Sequence, residues 1–152
     1  MPDVFKKLNL KDQPEIIVLN APASFEPELA ALKGVNVVRE LKGVKTLGFA
    51  LAFVTKQAEV DKLAAALGKR AAGDALIWFA YPKGTSKKYK CEFNRDTGWA
   101  ALGAQGFEPV RMVAIDEDWS ALRFRRADFI KTMRRDQKHA LSDKGKAKTA
   151  KK

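Results

Sequence analysis

Three apolar runs constrain the fold of this chain more than anything else in it: Ile16 to Leu19, Leu47 to Val54, and Ala75 to Tyr81. None of them alternates polar with apolar residues. Each must therefore be buried on both faces, as the inner strands of a parallel sheet are when helices cover both sides. Pro14 and Pro22 bound the first run. The second reads Leu47-Gly48-Phe49-Ala50-Leu51-Ala52-Phe53-Val54, the longest of its kind, and is the candidate for a central strand.

The segments between these runs have helical period or turn chemistry. Ser24 to Lys33 predicts a short helix, with Pro27 in its first turn, Leu29 and Leu32 inward and Gly34 as its stop. Val35 to Leu41 and Lys45 to Val54 read as strands broken at Lys42-Gly43. Val60, Leu63, Ala64, Leu67 and Ala71 recur at spacings of three and four, which predicts a helix from Gln57 to Ala72 with Thr55 as cap and Gly73 as terminator. Beyond the third run come a polar loop, Pro82 to Lys90, and a helix capped by Asn94 or Asp96 that carries Trp99, Ala100 and Leu102 and ends at Gly106. Val110 to Ile115 and Trp119 to Arg126 then make two strands joined by the tight acidic connection Asp116-Glu117-Asp118, the pattern of a hairpin. Asp128 opens a last helix with Phe129, Ile130 and Met133 on one side.

The order β-α-β-β-α-β-α-β-β-α predicts an α/β fold: a twisted, mostly parallel sheet with helices on both faces and a C-terminal antiparallel hairpin. In outline this resembles a reduced Rossmann-like sheet of methyltransferase-like topology. Such a fold carries no function by itself.

Length and charge narrow the remaining choices. The 152 residues suffice for one core, so residues 1–140 are read as a single α/β domain and 141–152 as a disordered lysine-rich tail. Residues 1–122 hold 17 basic and 15 acidic side chains, whereas 123–152 hold 12 and 3, so most of the formal charge of +11 belongs to the C-terminal end. A flexible basic end binds polyanions through counterion release, which points to nucleic acid or an acidic protein as partner. The residues assigned to that role are Arg123, Arg125, Arg126, Arg134, Arg135, Lys144, Lys146 and Lys148. No stretch has the roughly 20 apolar residues of a membrane span and no signal-peptide core is present, so a soluble, cytoplasmic protein is expected. One cysteine, Cys91, and one histidine, His139, exclude a disulfide, a multi-cysteine metal site and a histidine-based catalytic triad.

A cofactor site of Rossmann type needs glycines after the first strand, so that backbone can approach the ligand. Here that loop is Asn20-Ala21-Pro22-Ala23-Ser24, and no glycine-rich phosphate motif occurs in the chain, so no cofactor is expected. Asn20 and Ser24 are suited to a turn and a helix cap, or to a small polar ligand at a strand end. The loop Tyr81-Pro82-Lys83-Gly84-Thr85-Ser86-Lys87-Lys88 follows a buried strand, where its lysine and hydroxyls can cradle an anion or simply face water. On the last strand Trp119 shares a face with Arg123 and Arg125, which allows a guanidinium to stack on the indole. The acidic turn can pair with Arg123, Arg95 or Lys83. Cys91, between Lys90 and Glu92, is either an activated thiol or a small packed residue.

The segments Ile77-Trp78-Phe79-Ala80-Tyr81-Pro82-Lys83, Asn94-Arg95-Asp96-Thr97-Gly98-Trp99 and Val113 to Phe124, with its Trp119-Ser120-Ala121-Leu122-Arg123 core, resemble a bacterial family known as domain of unknown function 3052. The resemblance covers about residues 47–126 and implies a fold without implying an activity. Two functions follow from the residues. One is a non-enzymatic interaction module that uses its basic tail. The other is a divergent Rossmann-like ligand-binding or transferase domain with an anion site at the strand ends, formed by Asn20, Lys83, Thr85, Ser86, Asp116 and Trp119.

Overall fold

The structure, a computed structural model, describes residues 3–11, 13–91, 93 and 98–127. The elements are α1 (Asp3–Lys7), β1 (Glu15–Leu19), a 3-10 turn (Ala23–Phe25), α2 (Glu26–Ala30), β2 (Asn36–Val38), β3 (Leu47–Phe53), α3 (Gln57–Gly68), β4 (Ala71–Pro82), α4 (Ala100–Ala104), β5 (Phe107–Ala114) and β6 (Trp119–Arg126). The strands form one sheet in the order β2-β1-β3-β4-β6-β5. The first four are parallel, and β6 runs antiparallel to both β4 and β5. This is the predicted reduced Rossmann-like sheet with its terminal hairpin.

Burial on both faces explains the unbroken apolar runs. Along β4, Ile77, Phe79 and Tyr81 enter one core with Ala64 and Leu67 of α3, Leu102 of α4, and Trp99. Leu76, Trp78 and Ala80 enter the other, with Val4, Phe5 and Leu8 from the α1 segment and Phe25 and Leu29 from the α2 segment. Period-two alternation thus persists in the geometry although it is invisible in the composition. Trp78 and Phe79 are fully buried, back to back across one sheet. Burying a side chain of this size stabilises by roughly 1.5–3 kcal/mol.

Several boundaries differ from the sequence expectation, each for a local reason. The helix expected to reach Ala72 stops at Gly68, because Ala71 already pairs with Leu47 as β4 begins. Gly73, with φ of 56°, lies within that strand and terminates no helix. Thr55 does not cap α3. The Glu59 carboxylate turns back and accepts from the amides of Thr55 (2.9 Å) and Lys56 (3.1 Å) and from the Thr55 hydroxyl (3.4 Å), the reciprocal half of a capping box. The helix expected over 24–33 is only a 3-10 turn and α2, and Ser24 provides no cap. The short α1, absent from the sequence reading, docks its end on the sheet: the Trp78 indole donates to the Leu8 carbonyl at 2.9 Å. The expected caps Asn94, Asp96 and Asp128, the last helix and the tail 141–152 lie outside the described residues. No helix among the described residues is long and apolar enough to cross a membrane.

Candidate functional site at the strand carboxyl ends

Strand order reverses between β1 and β3, since β1 leads outward to β2 and the chain then crosses back to β3. In open α/β sheets ligands bind in the crevice beyond the strand carboxyl ends at such a reversal. Asn20, directly after β1, adopts φ of 59°, and its side-chain amide donates to the Phe53 carbonyl at the end of β3 (3.3 Å). That bond ties the two strand ends together. Beneath it Phe25, from the loop after β1, packs on Phe53 with ring centroids 5.0 Å apart. The turn role expected of Asn20 is thus accompanied by a bridging one.

The next corner, where β4 ends and β6 begins, gathers most of the other expected residues. Pro82 pairs with Trp119 across the strands, and the Lys83 amide donates to the Asp118 carbonyl at 2.8 Å. Asp116 accepts from the amides of Asp118 (2.8 Å) and Trp119 (2.9 Å), closing the hairpin turn. The Ser86 hydroxyl donates to Asp118 Oδ1 (2.8 Å) and accepts from the amides of Lys88 (3.3 Å) and Tyr89 (3.1 Å). Ser86 therefore staples the loop onto the hairpin, its donor and acceptors already engaged. Thr85 points to solvent, and Lys83 is half-buried. The corner brings together Lys83, Ser86, Asp116 and Trp119, with Thr85 on the same loop, while Asn20 lies on the far side of β3.

Two expected contacts are replaced by others. Among the described residues no guanidinium stacks on Trp119. Its ring lies instead between Phe53 (5.1 Å) and Tyr89 (4.9 Å), extending the aromatic row Phe5, Phe25, Phe53 across the strand ends. The acidic turn forms no ion pair with Lys83 or Arg123; the Asp116 carboxylate accepts from backbone amides and that of Asp118 from Ser86. Arg95 lies outside the described residues. Trp119 is only 3% exposed, and its indole nitrogen is sealed from solvent with no hydrogen-bond partner among the described residues. A buried donor without an acceptor is uncommon and costs roughly 1–3 kcal/mol.

The cationic residues divide by role. Arg126 donates to the carbonyls of Gly68 (3.1 Å) and Ala71 (2.9 Å) and stacks on Phe107, so it locks the hairpin to the α3–β4 junction. Arg125 forks onto Asp74, with its closest contact at 2.6 Å, and that pairing raises its pKa. Among the described residues Arg123 makes no ion pair, although the Asp74 charge acts on it through space. Burial, then the neighbouring Arg125, lowers its pKa. Arg134, Arg135, Lys144, Lys146 and Lys148 lie outside the described residues. Cys91 is half-buried against the α3-side core, and no metal-holding cluster of His, Cys, Asp and Glu occurs among the described residues. The sequence reading passed over Arg111, which stands directly opposite Arg123 on β5. Counting outward from the 116–118 turn, with Ala114 facing Ser120, would have found it.

No family model and no curated protein matches the chain. Solved structures match in fold. A possible exported protein from Bordetella parapertussis superposes at a TM-score of 0.55 with 10% identity, covering 81% of this chain, and the chain spans 65% of that protein. A SAM-dependent methyltransferase from Aquifex aeolicus gives a TM-score of 0.55 with 15% identity, over 81% of this chain and 87% of that one. At these identities the likeness is one of architecture, and the architecture is the Rossmann-like sheet of methyltransferase topology.

Proposed function

We propose that the chain is a Rossmann-like small-ligand-binding domain whose site is the corner between the end of β4 and the start of β6. Its ligand is a small polar molecule bearing an oxyanion. The observation that carries this reading is the buried indole N–H of Trp119 at a strand end, a donor that finds no acceptor among the described residues. Lys83 supplies the cation one residue beyond β4, and Asp118, held by Ser86, is placed to accept from a donor on the same ligand. The turn Asp116-Glu117-Asp118 lies beside Lys83, Lys87 and Lys88, so the corner is electrically mixed and suits a ligand that carries both charge signs or adds a donor group.

S-adenosylmethionine, named for the Aquifex protein, does not fit the reversal between β1 and β3. The loop there has no glycine, Asn20 bridges the strand ends, and Phe25 fills the space beneath. A site one corner away is consistent with the same architecture.

Thermal shift and tryptophan fluorescence, run against amino acids, dicarboxylates, nucleotides and S-adenosylmethionine at millimolar concentration, test the reading. A zwitterionic or carboxylate ligand should raise the melting temperature of the native protein, and the shift should shrink in Lys83→Ala and in Trp119→Phe. If no compound produces a shift, or both variants respond as the native protein does, the assignment of this corner is wrong.

A further inference from the structure

A second buried donor lacks a partner among the described side chains: the Nε of Arg123. It lies four residues along β6 from Trp119, roughly 13 Å away at strand rise, so it belongs to a different place on the sheet. Trp78 flanks Arg123 on β4 and Arg111 flanks it on β5. Residues directly opposite in an antiparallel pair have their Cβ atoms within about 5.5 Å, and like charges there are destabilising. The carboxylate that could relieve the pair, Asp74, is taken by Arg125 through contacts of 2.6, 2.9 and 3.1 Å. The described ion pairs include neither Arg111 nor Arg123. At the other end of the hairpin the Lys7 ammonium reaches the Ala114 carbonyl at 3.5 Å and adds a further cation.

Two arginines facing each other, neither ion-paired among the described residues and one half-buried with a sealed donor, leave a cationic pair that Asp74 offsets only through space. A tetrahedral oxyanion between them would separate the two charges electrostatically and accept in a forked geometry, for which guanidinium is the preferred donor. We propose that Arg111 and Arg123 form a clamp for a phosphate group on the β5–β6 hairpin. The phosphate comes either from a small phosphorylated molecule or from a nucleic-acid backbone. This clamp is independent of the corner at Lys83 and Trp119, and either can fail without the other.

The test uses the full-length protein with two probes, inorganic pyrophosphate in thermal shift and a labelled single-stranded oligonucleotide titrated at several salt concentrations. Arg111→Gln changes an exposed side chain and should preserve the fold. It is expected to weaken binding of the responding probe roughly tenfold. In Arg111→Gln/Arg123→Gln the slope of log affinity against log salt for the oligonucleotide should fall by about 0.7, one phosphate's worth for single strands. Asp74→Asn releases Arg125 and should tighten binding. A loss confined to pyrophosphate identifies a small phosphorylated ligand, whereas a loss seen with the oligonucleotide identifies backbone phosphate. If Arg111→Gln leaves both the pyrophosphate shift and the oligonucleotide affinity at native values, the clamp does not exist.

Discussion

Two tryptophans buried on the same face of the sheet offer a controlled measurement of what an unpartnered donor does to this fold. Trp78 is 0% exposed and donates to the Leu8 carbonyl at 2.9 Å; Trp119 is 3% exposed and donates to no acceptor among the described residues. Phenylalanine in place of either removes a similar apolar volume, a loss of roughly 1–2 kcal/mol from transfer and the cavity left behind. The polar consequences have opposite signs. In Trp78→Phe the buried Leu8 carbonyl loses its donor, adding about 1–3 kcal/mol of destabilisation. In Trp119→Phe an unsatisfied N–H leaves the interior, returning about the same amount. Trp78→Phe should therefore lower stability by about 3 kcal/mol while Trp119→Phe stays near native. Urea unfolding with an unchanged m-value would read this as a clear separation of midpoints. In thermal melts the gap should be roughly 6–12 °C, at about 2–4 °C per kcal/mol for a chain of this size. Equal losses for the two variants, or a larger loss for Trp119→Phe, would refute the reasoning and remove the support for a ligand-seeking donor at the strand end.

Glu59→Ala should cost about 1 kcal/mol by leaving the Thr55 and Lys56 amides without the carboxylate, and Glu59→Gln should recover most of it in urea titrations, since its carbonyl oxygen still accepts. Gly98→Ala places a Cβ 2.7 Å from Phe93 Cβ at a φ of 90°, so a loss of at least about 2 kcal/mol is expected by the same assay. The Arg39 guanidinium, bonded to Glu26 at 2.7 and 2.9 Å, holds that carboxyl below its ordinary pKa. A lowered folded-state pKa contributes stability above the ordinary carboxylate value and loses it as pH falls through the lowered one. The difference in melting temperature between native protein and Arg39→Gln should thus be constant near neutrality and vanish in acid, and high salt should shrink it because the pair is exposed.

The sheet was legible in the sequence because its strands are buried on both sides and flanked by chain breakers, as at Ile16 to Leu19 between Pro14 and Pro22, and because the acidic turn at 116–118 set the hairpin register. The α3–β4 boundary was not, since Ala71 satisfies both a helical spacing and a strand position, and only its pairing with Leu47 decides between them. At the corner, residue types identified the neighbourhood but could not assign partners. Ser86, Asp116 and Asp118 have the chemistry of a binding site, and the fold directs much of it at backbone amides and at one another. The groups left over are the informative ones, and no periodicity reveals them, because lacking a partner is a property of packing. Trp119 looked like one more arginine-stacked indole and Arg123 one more basic residue among twenty-nine. Arg125, two residues further along, is bonded directly to Asp74, whereas Arg123 feels that carboxylate only electrostatically. That direct pairing separates an arginine bonded within the fold from one whose Nε has no partner among the described residues.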